Sequence, residues 1–261
     1  SAGSHQRLIN CPYQFFSGDM LKLKPADEIS EELKKSDYGE RVHKALQAFH
    51  QHTDSLPAPF TEAITQENRE LAIENLTNTS STVFNIDLEN NILHRSWLHR
   101  WLKHIPSYID WQIEQQKDWT IFSAEENLEK EITSSNIIFG RIDRIDKNNS
   151  EHCIIDYKTG SSAKQDDVDC GENIQLTTYA LLDEAASNII YLILDDSKNK
   201  VKEGATLSGE ALESIKSDVL RRLKTMLNMI NQEKGLPAWG DTTTCGYCNF
   251  EGLCRRSSWP G

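Results

Sequence analysis

The segment HCIIDYKTG (152–160) constrains this chain more than any other stretch. Read as a strand, it alternates faces, so Ile155 and Tyr157 point one way and Asp156 and Lys158 the other. The apolar half needs a packed layer behind it. The acid and the lysine are costly to bury without a purpose. A strand of this kind belongs in a sheet with a core on one face and chemistry on the other. Two strand-like segments precede it, roughly 119–132 and IIFGRIDRID (137–146), and KNNS forms the turn before the third.

The rest of the chain predicts what covers that sheet. Ser4 is a candidate cap for a short helix, HQRLINCPYQFF, that ends or kinks at Pro12. In residues 29–53, Leu33, Val42, Leu46 and Phe49 recur at helical spacing, with an interruption around Tyr38 and Gly39. Residues from about 62 to 117 read as mostly helical. After the three strands come a polar loop (161–171), a helix ENIQLTTYALLDEAA, the apolar strand NIIYLIL (188–194) and an amphipathic helix over about 208–233. Helices, three strands, helix, strand, helix is an α/β order, and one central mixed sheet flanked by helices is its simplest packing.

Hairpin geometry brings Asp143 of GRIDRID beside Asp156 and Lys158. Carboxylate oxygens in such a group suit Mg²⁺ or Mn²⁺, and a lysine beside them can hold or help deprotonate a water. Taken alone, a D-x-K triplet is as readily an ion pair on an exposed edge. Its surroundings argue for more. Gly140 and the Thr159–Gly160 pair leave room for a backbone to approach, and Gln175 and Tyr179 share one face of the next helix. Upstream, Gly39 and His43 share a helical face, although His43 by itself reads as an ordinary helix histidine.

In order, GERVH, GRIDRID, IIDYKTG and QLTTYA resemble the RecB-like branch of the PD-(D/E)XK nucleases, which carries a helical histidine, G-x-x-D, (D/E)-x-K and Q-x-x-x-Y. The resemblance implies a restriction-endonuclease-like core and a metal-dependent deoxyribonuclease, expected to be an exonuclease in DNA end processing and recombinational repair. It implies that His43, Asp143, Asp156 and the carbonyl of Tyr157 hold the cation. Lys158 would position or activate the water, and Gln175 and Tyr179 would brace the site or touch DNA. Glu126 on the first strand is a further candidate, with neighbouring Glu125 competing for the alignment.

Three cysteines crowd the segment CGYCNFEGLC, and a closed tetrahedral site needs a fourth ligand. Some members of the same branch, AddB-type helicase–nuclease subunits among them, hold a [4Fe–4S] cluster with one cysteine before the nuclease core and three after it. The likeness implies Cys11, Cys245, Cys248 and Cys254 as that set, with the CPYQFF context nearest the AddB type. Without the family, four thiolates point to zinc; with it, to the cluster. A clip from Cys11 to Cys254 would constrain a loop spanning nearly the whole chain, by about 5 kcal/mol in the chain-entropy account. The role implied is structural. Cys153 reads as a small buried hydrophobe, and Cys170 has no evident role.

These features predict a single nuclease domain over residues 1–261, with a helical insertion at about 62–117. The net charge of −12 argues mildly against nucleic acid, but acids gathered around a cation count as negative only until it arrives. No apolar run is long enough for a membrane and no secretion signal is present, so a cytoplasmic location is expected. Leu93, Trp97, Trp101, Ile105 and Tyr108 form a helical stripe that reads as core, not as a stacking surface for DNA. Arg255 and Arg256 read either as phosphate anchors or as a solvated tail. The rival function is a catalytically silent DNA-binding or scaffolding module of a helicase–nuclease complex, which the presence of Asp143, Asp156 and Lys158 together disfavours. No G-x-x-x-x-G-K-[ST] loop occurs, so any helicase motor lies outside these residues, in a longer chain or a partner subunit.

Overall fold

The computed structural model describes residues 1–24, 35–85, 92–196 and 198–258. Leu33 and the side chain of Leu93 lie outside the described residues. Helix α1 (Ala2–Asn10) is capped by Ser1, whose hydroxyl accepts from the Ser4 amide at 3.2 Å, so Ser4 is not the cap. The helix stops at Cys11, which precedes Pro12 and is extended at φ −162° and ψ 107°, the conformation that a following proline favours. A short helix α2 (Pro12–Phe15) and a π-helical turn (Phe16–Met20) follow.

Helix α3 (Lys35–His50) runs without a break through Tyr38 and Gly39, against the expected interruption. Glycine there serves a close approach: a Cβ on Gly39 would sit 3.0 Å from Thr159 Oγ1. The helical stretch after it is α4 (Arg69–Asn85), α5 (Ile92–Leu102) and α6 (Ile105–Gln115). Trp101, Ile105 and Tyr108 are fully buried and Trp97 packs partly buried against them, so these four members of the apolar stripe are core.

One five-stranded mixed sheet runs in chain order: β1 (Thr120–Thr133), β2 (Asn136–Asn148), β3 (Glu151–Lys158), β4 (Ala186–Ile193) and β5 (Lys202–Ser208). All neighbours are antiparallel except β3 and β4, which are joined by the crossover through α7 (Gln165–Asp169) and α8 (Gln175–Leu182). Two of these elements depart from expectation. The polar loop contains α7, and β5 is a strand that its sequence, KEGATLS, does not advertise. As an edge strand, β5 needs only Ala205 and Leu207 facing inward. The long amphipathic helix is α9 (Gly209–Asn231). Among the described residues no helix is long and apolar enough to cross a membrane.

The sheet separates two cores. On one face Ile154, Ile189 and Tyr191 pack with α8 and α9; on the other Cys153, Ile155 and Tyr157 pack with α3, α4 and α6. The second core holds a buried charge. Arg144 is fully enclosed and makes a two-bonded pair with Asp146, Nε to Oδ1 at 2.6 Å and Nη2 to Oδ2 at 2.8 Å. Its Nη1 donates to Gln112 Oε1 at 2.6 Å and to Tyr108 Oη at 3.1 Å.

Two histidines, His5 buried and His50 partly so, give the fold an acid-sensitive edge. Burial pushes His5 down to about 4, with Arg222 adding to the effect, and burial followed by Arg144 holds His50 well below its ordinary value. Both are neutral in the fold, whereas the unfolded chain takes up protons near pH 6.5. Stability is therefore full above that value and falls as pH drops toward 4. His5 alone accounts for roughly 3 kcal/mol of the loss, at about 1.4 kcal/mol per pH unit. Urea midpoints taken from pH 7.5 down to pH 4.5 should decline, and His5→Gln should remove part of that slope. An unchanged slope in the variant would show that His5 is not held neutral.

Candidate active site

Beyond the pair Arg144 and Ile155, the β2–β3 ladder ends. There the Asp143 carboxylate takes over the role of a ladder acceptor: the Tyr157 amide donates to its Oδ2 at 2.8 Å. The opening between the strands is a cavity of about 1010 Å³, lined by His43, Glu125, Asp143, Asp156, Lys158 and Gln175 among others. The helix α3 supplies His43, whose Nδ1 lies 3.4 Å from Asp143 Oδ1 and 3.8 Å from Glu125 Oε1. The Tyr157 ring meets the His43 ring edge-on at 5.7 Å.

Glu125, not Glu126, completes this group. It adopts φ +54°, a left-handed conformation that costs a non-glycine residue about 1 kcal/mol or more. The twist breaks the simple alternation of β1 and turns the Glu125 carboxylate toward His43 and Asp143. Oxygens of Glu125 and Asp143 and a nitrogen of His43 all lie within 4.8 Å of one another. Arg141 at the rim pairs with Glu125 at 2.7 Å. No sequence pattern marks a kink of this kind, so the choice between the two glutamates is open at that level.

Asp156 and Lys158 project from β3 on the α8 side, as the alternation requires. Lys158 Nζ lies 2.6 Å from Asp156 Oδ2 and donates to Gln175 Oε1 at 3.0 Å. The Gln175 amide donates in turn to Asp156 Oδ1 at 3.1 Å and to Tyr179 Oη at 3.2 Å. One glutamine thus ties acid, lysine and tyrosine together. Gly140 lets β2 come this close to α8, because a Cβ there would sit 3.0 Å from Tyr179 Cε1.

The electrostatics are those of crowded acids. Burial, then the charge of Asp143, raises Asp156, with Lys158 pulling the other way. Burial and Asp143 likewise raise Glu125, opposed by Arg141. Burial draws His43 down, but its hydrogen bond and charge contact with Asp143 outweigh this and leave it raised. A histidine nitrogen and hard carboxylate oxygens short of positive charge form a donor set that fits a divalent cation such as Mg²⁺ or Mn²⁺.

A second cavity, of about 320 Å³, is lined by Cys11, Cys245, Cys248 and Cys254. Helices α10 (Thr242–Gly246) and α11 (Glu251–Cys254) carry two of these thiols. The two ends of the chain already meet here, since the Tyr13 amide donates to Pro237 O at 3.2 Å and Phe250 packs over Gly18. Burial raises the Cys248 thiol, and its three neighbouring cysteines add to the shift, while the Phe250 amide donates to its sulfur at 3.4 Å. Arg256 Nη1 reaches Cys245 Sγ at 3.5 Å, so it faces the cysteines, while Arg255 donates to Gly252 O. Cys153 is fully buried and pushed up to about 12 by that burial, an inert thiol; Cys170 is exposed.

The family model for the PD-(D/E)XK nuclease superfamily matches residues 1–255. The chain belongs to that superfamily. This PD-(D/E)XK chain is 29% identical over 191 residues to an uncharacterized protein of Rickettsia bellii (strain RML369-C), covering 68% of this chain and 20% of the relative. It is 27% identical over 190 residues to an uncharacterized protein of Rickettsia felis (strain ATCC VR-1525 / URRWXCal2), again covering 68% of this chain and 20% of the relative. The chain thus spans about a fifth of the length of these curated relatives. The crystal structure of SSO0001 aligns over 86% of this chain and 97% of its own, at 16% identity and a TM-score of 0.36, too low to carry an argument. The PD-(D/E)XK superfamily is generally one of nucleases, which accords with the α/β fold, the five-stranded mixed sheet and the acidic group within it.

Proposed function

We propose that this PD-(D/E)XK protein is a Mg²⁺- or Mn²⁺-dependent deoxyribonuclease that hydrolyses phosphodiesters, acting as an exonuclease in DNA end processing. One observation carries the reading: His43, Glu125 and Asp143 converge within 4.8 Å beside the Lys158–Gln175–Asp156 relay, inside one open cavity. His43, Glu125 and Asp143 would hold the cation, with Asp156 and the Tyr157 carbonyl at the same opening. The bound cation supplies charge for the scissile phosphate and acidifies a water.

The protein's own groups do the rest. Lys158 is ion-paired with Asp156 and donates to Gln175 Oε1, and an N–H is left for the attacking water or a phosphate oxygen. Asp143 is held by the Tyr157 amide, so its carboxylate keeps one direction without a rotamer search. Arg141 and Lys44 line the same cavity and offer the backbone of DNA positive charge despite the net charge of −12. Gln175 and Tyr179 brace the lysine and the acid.

The four cysteines are assigned a [4Fe–4S] cluster. Among the described residues the one group of three or more His, Cys, Asp or Glu ligand atoms lying within 4.8 Å of one another is His43, Glu125 and Asp143. No three of the four sulfurs therefore lie within 4.8 Å of one another, whereas zinc–sulfur bonds of about 2.3 Å in a tetrahedron put all four roughly 3.8 Å apart. Four thiols around a roomy cavity suit a cluster better than one ion. Protein purified without oxygen should be brown and contain iron; colourless protein with one zinc per chain would refute the cluster. A reducing cytoplasm suits these thiols. The motor for processive action is assigned to a helicase in the same longer chain or in a partner subunit.

The test uses end-labelled linear DNA, single- and double-stranded, incubated with Mn²⁺, with Mg²⁺ and with chelator. Mononucleotides or short fragments released from an end only when a cation is present support the reading. Internal cuts alone would replace the exonuclease with an endonuclease. Binding without cleavage in any cation would replace it with a DNA-binding module.

A further inference from the structure

Beneath Lys158 lies an aromatic floor that none of the recognised motifs includes. Tyr191 is on β4, paired in parallel register with Asp156 of β3, so its side chain rises on the same face as Asp156 and Lys158. It is 1% exposed. Its hydroxyl donates to Asn173 Oδ1 at 2.7 Å, which fixes the ring from its far end. The Lys158 ammonium stands 5.0 Å from the ring centroid, on its face.

The ammonium is thus held on three sides of different chemistry: a carboxylate, an amide oxygen and a π face. Asp156 holds it as an ion pair at 2.6 Å, and Gln175 fixes one of its N–H directions. Neither partner, however, stops the long lysine chain from sinking toward the core. The ring does. It fills the space below and attracts the charge through its quadrupole, so Nζ rests at the cleft instead of folding away.

We propose that Tyr191 is a positioning residue for Lys158, its ring face holding the ammonium at the height where the remaining N–H meets the cleft. This rests on the reading of Lys158 as a participant in cleavage. A cation–π contact of about 0.5–2 kcal/mol converts to a loss of roughly 2- to 30-fold in kcat when the ring is removed. KM for DNA should hold, because Tyr191 is buried below the lysine and does not line the cleft.

The experiment has two arms on the same protein. In the first, Tyr191→Phe, Tyr191→Leu and a series with mono-, di- and trifluorinated phenylalanine at this position are compared for kcat and KM. Fluorination drains the ring face while nearly preserving shape, so kcat should fall stepwise with each fluorine, Phe should stay close to the parent and Leu should be lowest. A flat series, or Phe losing as much as Leu, would overturn the proposal, the latter placing the effect in the bond to Asn173. In the second arm, which needs no activity, the Lys158 side-chain methylene signals are followed by NMR, identified by their loss in Lys158→Ala. Ring-current displacement kept in Tyr191→Phe and abolished in Tyr191→Leu supports the contact; signals identical in both variants overturn it. If Lys158→Ala cleaves at the parental rate, the reading of Lys158 fails and this inference falls with it. A silent Lys158→Ala beside a flat fluorine series rejects Tyr191 alone.

Discussion

Lys158→Ala is expected to lower DNA cleavage by roughly 10²- to 10⁴-fold, the range for loss of a group that positions or activates the attacking water. The basis is the geometry of its ammonium, which sits 2.6 Å from Asp156 and 3.0 Å from Gln175 at the edge of the acidic group. Asp143→Ala should cost at least as much, since it removes an acid from the cation-binding set and the acceptor of the Tyr157 amide together. Neither side chain belongs to the two apolar cores, so the far-UV circular dichroism of a folded variant should match the parent, while Lys158→Ala should melt lower because buried Asp156 loses its ammonium partner. Cleavage at the parental rate by a folded Lys158→Ala protein would falsify the site assignment.

Arg144→Ala is expected to have the largest effect on stability, about 3–5 kcal/mol, read as a lowered urea midpoint. The substitution deletes the partner of Asp146, which is fully enclosed and left as an unpaired carboxylate. It also strips a donor from Gln112 and from Tyr108. The control is the double variant Arg144→Met with Asp146→Leu. Exchanging both charges for apolar side chains of similar volume should recover most of the loss, because it is the orphaned charge that is expensive. A double variant as weak as the single would mean that the wider network around Tyr108 and Gln112 carries the stability. Tyr157 Oη is part of that network, 3.2 Å from Tyr108 Oη, and its ring abuts His43. Cation affinity should therefore fall in Arg144→Ala even under conditions where the protein remains folded.

Much of this was legible because the site lies on regular elements. The alternation of CIIDYK requires Asp156 and Lys158 to share a face, and the structure places both at the α8 side of β3. A helical spacing of four puts Gln175 and Tyr179 together, and they are hydrogen-bonded. What escaped was irregular. Glu125 enters the site through a left-handed residue within a strand, a conformation that strand periodicity cannot encode. The strand β5 is short, polar and at an edge, so half of its residues have no reason to be apolar. Ser1 outcompetes Ser4 as a cap because the helix begins one turn earlier than the run of larger side chains suggests. Gly39 looked like a break in α3 and is instead the point where the helix passes Thr159.

The division of β3 between two environments has a consequence for how errors are tolerated. Its odd residues are sealed among aromatic and aliphatic side chains, and its even residues from Asp156 onward meet the cleft. A slip of one residue would drive an acid and a lysine into the Tyr108–Phe49 side and expose isoleucine and tyrosine to water. Insertion of a single residue within β3 is thus penalised twice, once in folding and once in chemistry. The strand's spacing is thus held from both of its faces, whereas in β5 only Ala205 and Leu207 are buried hydrophobics.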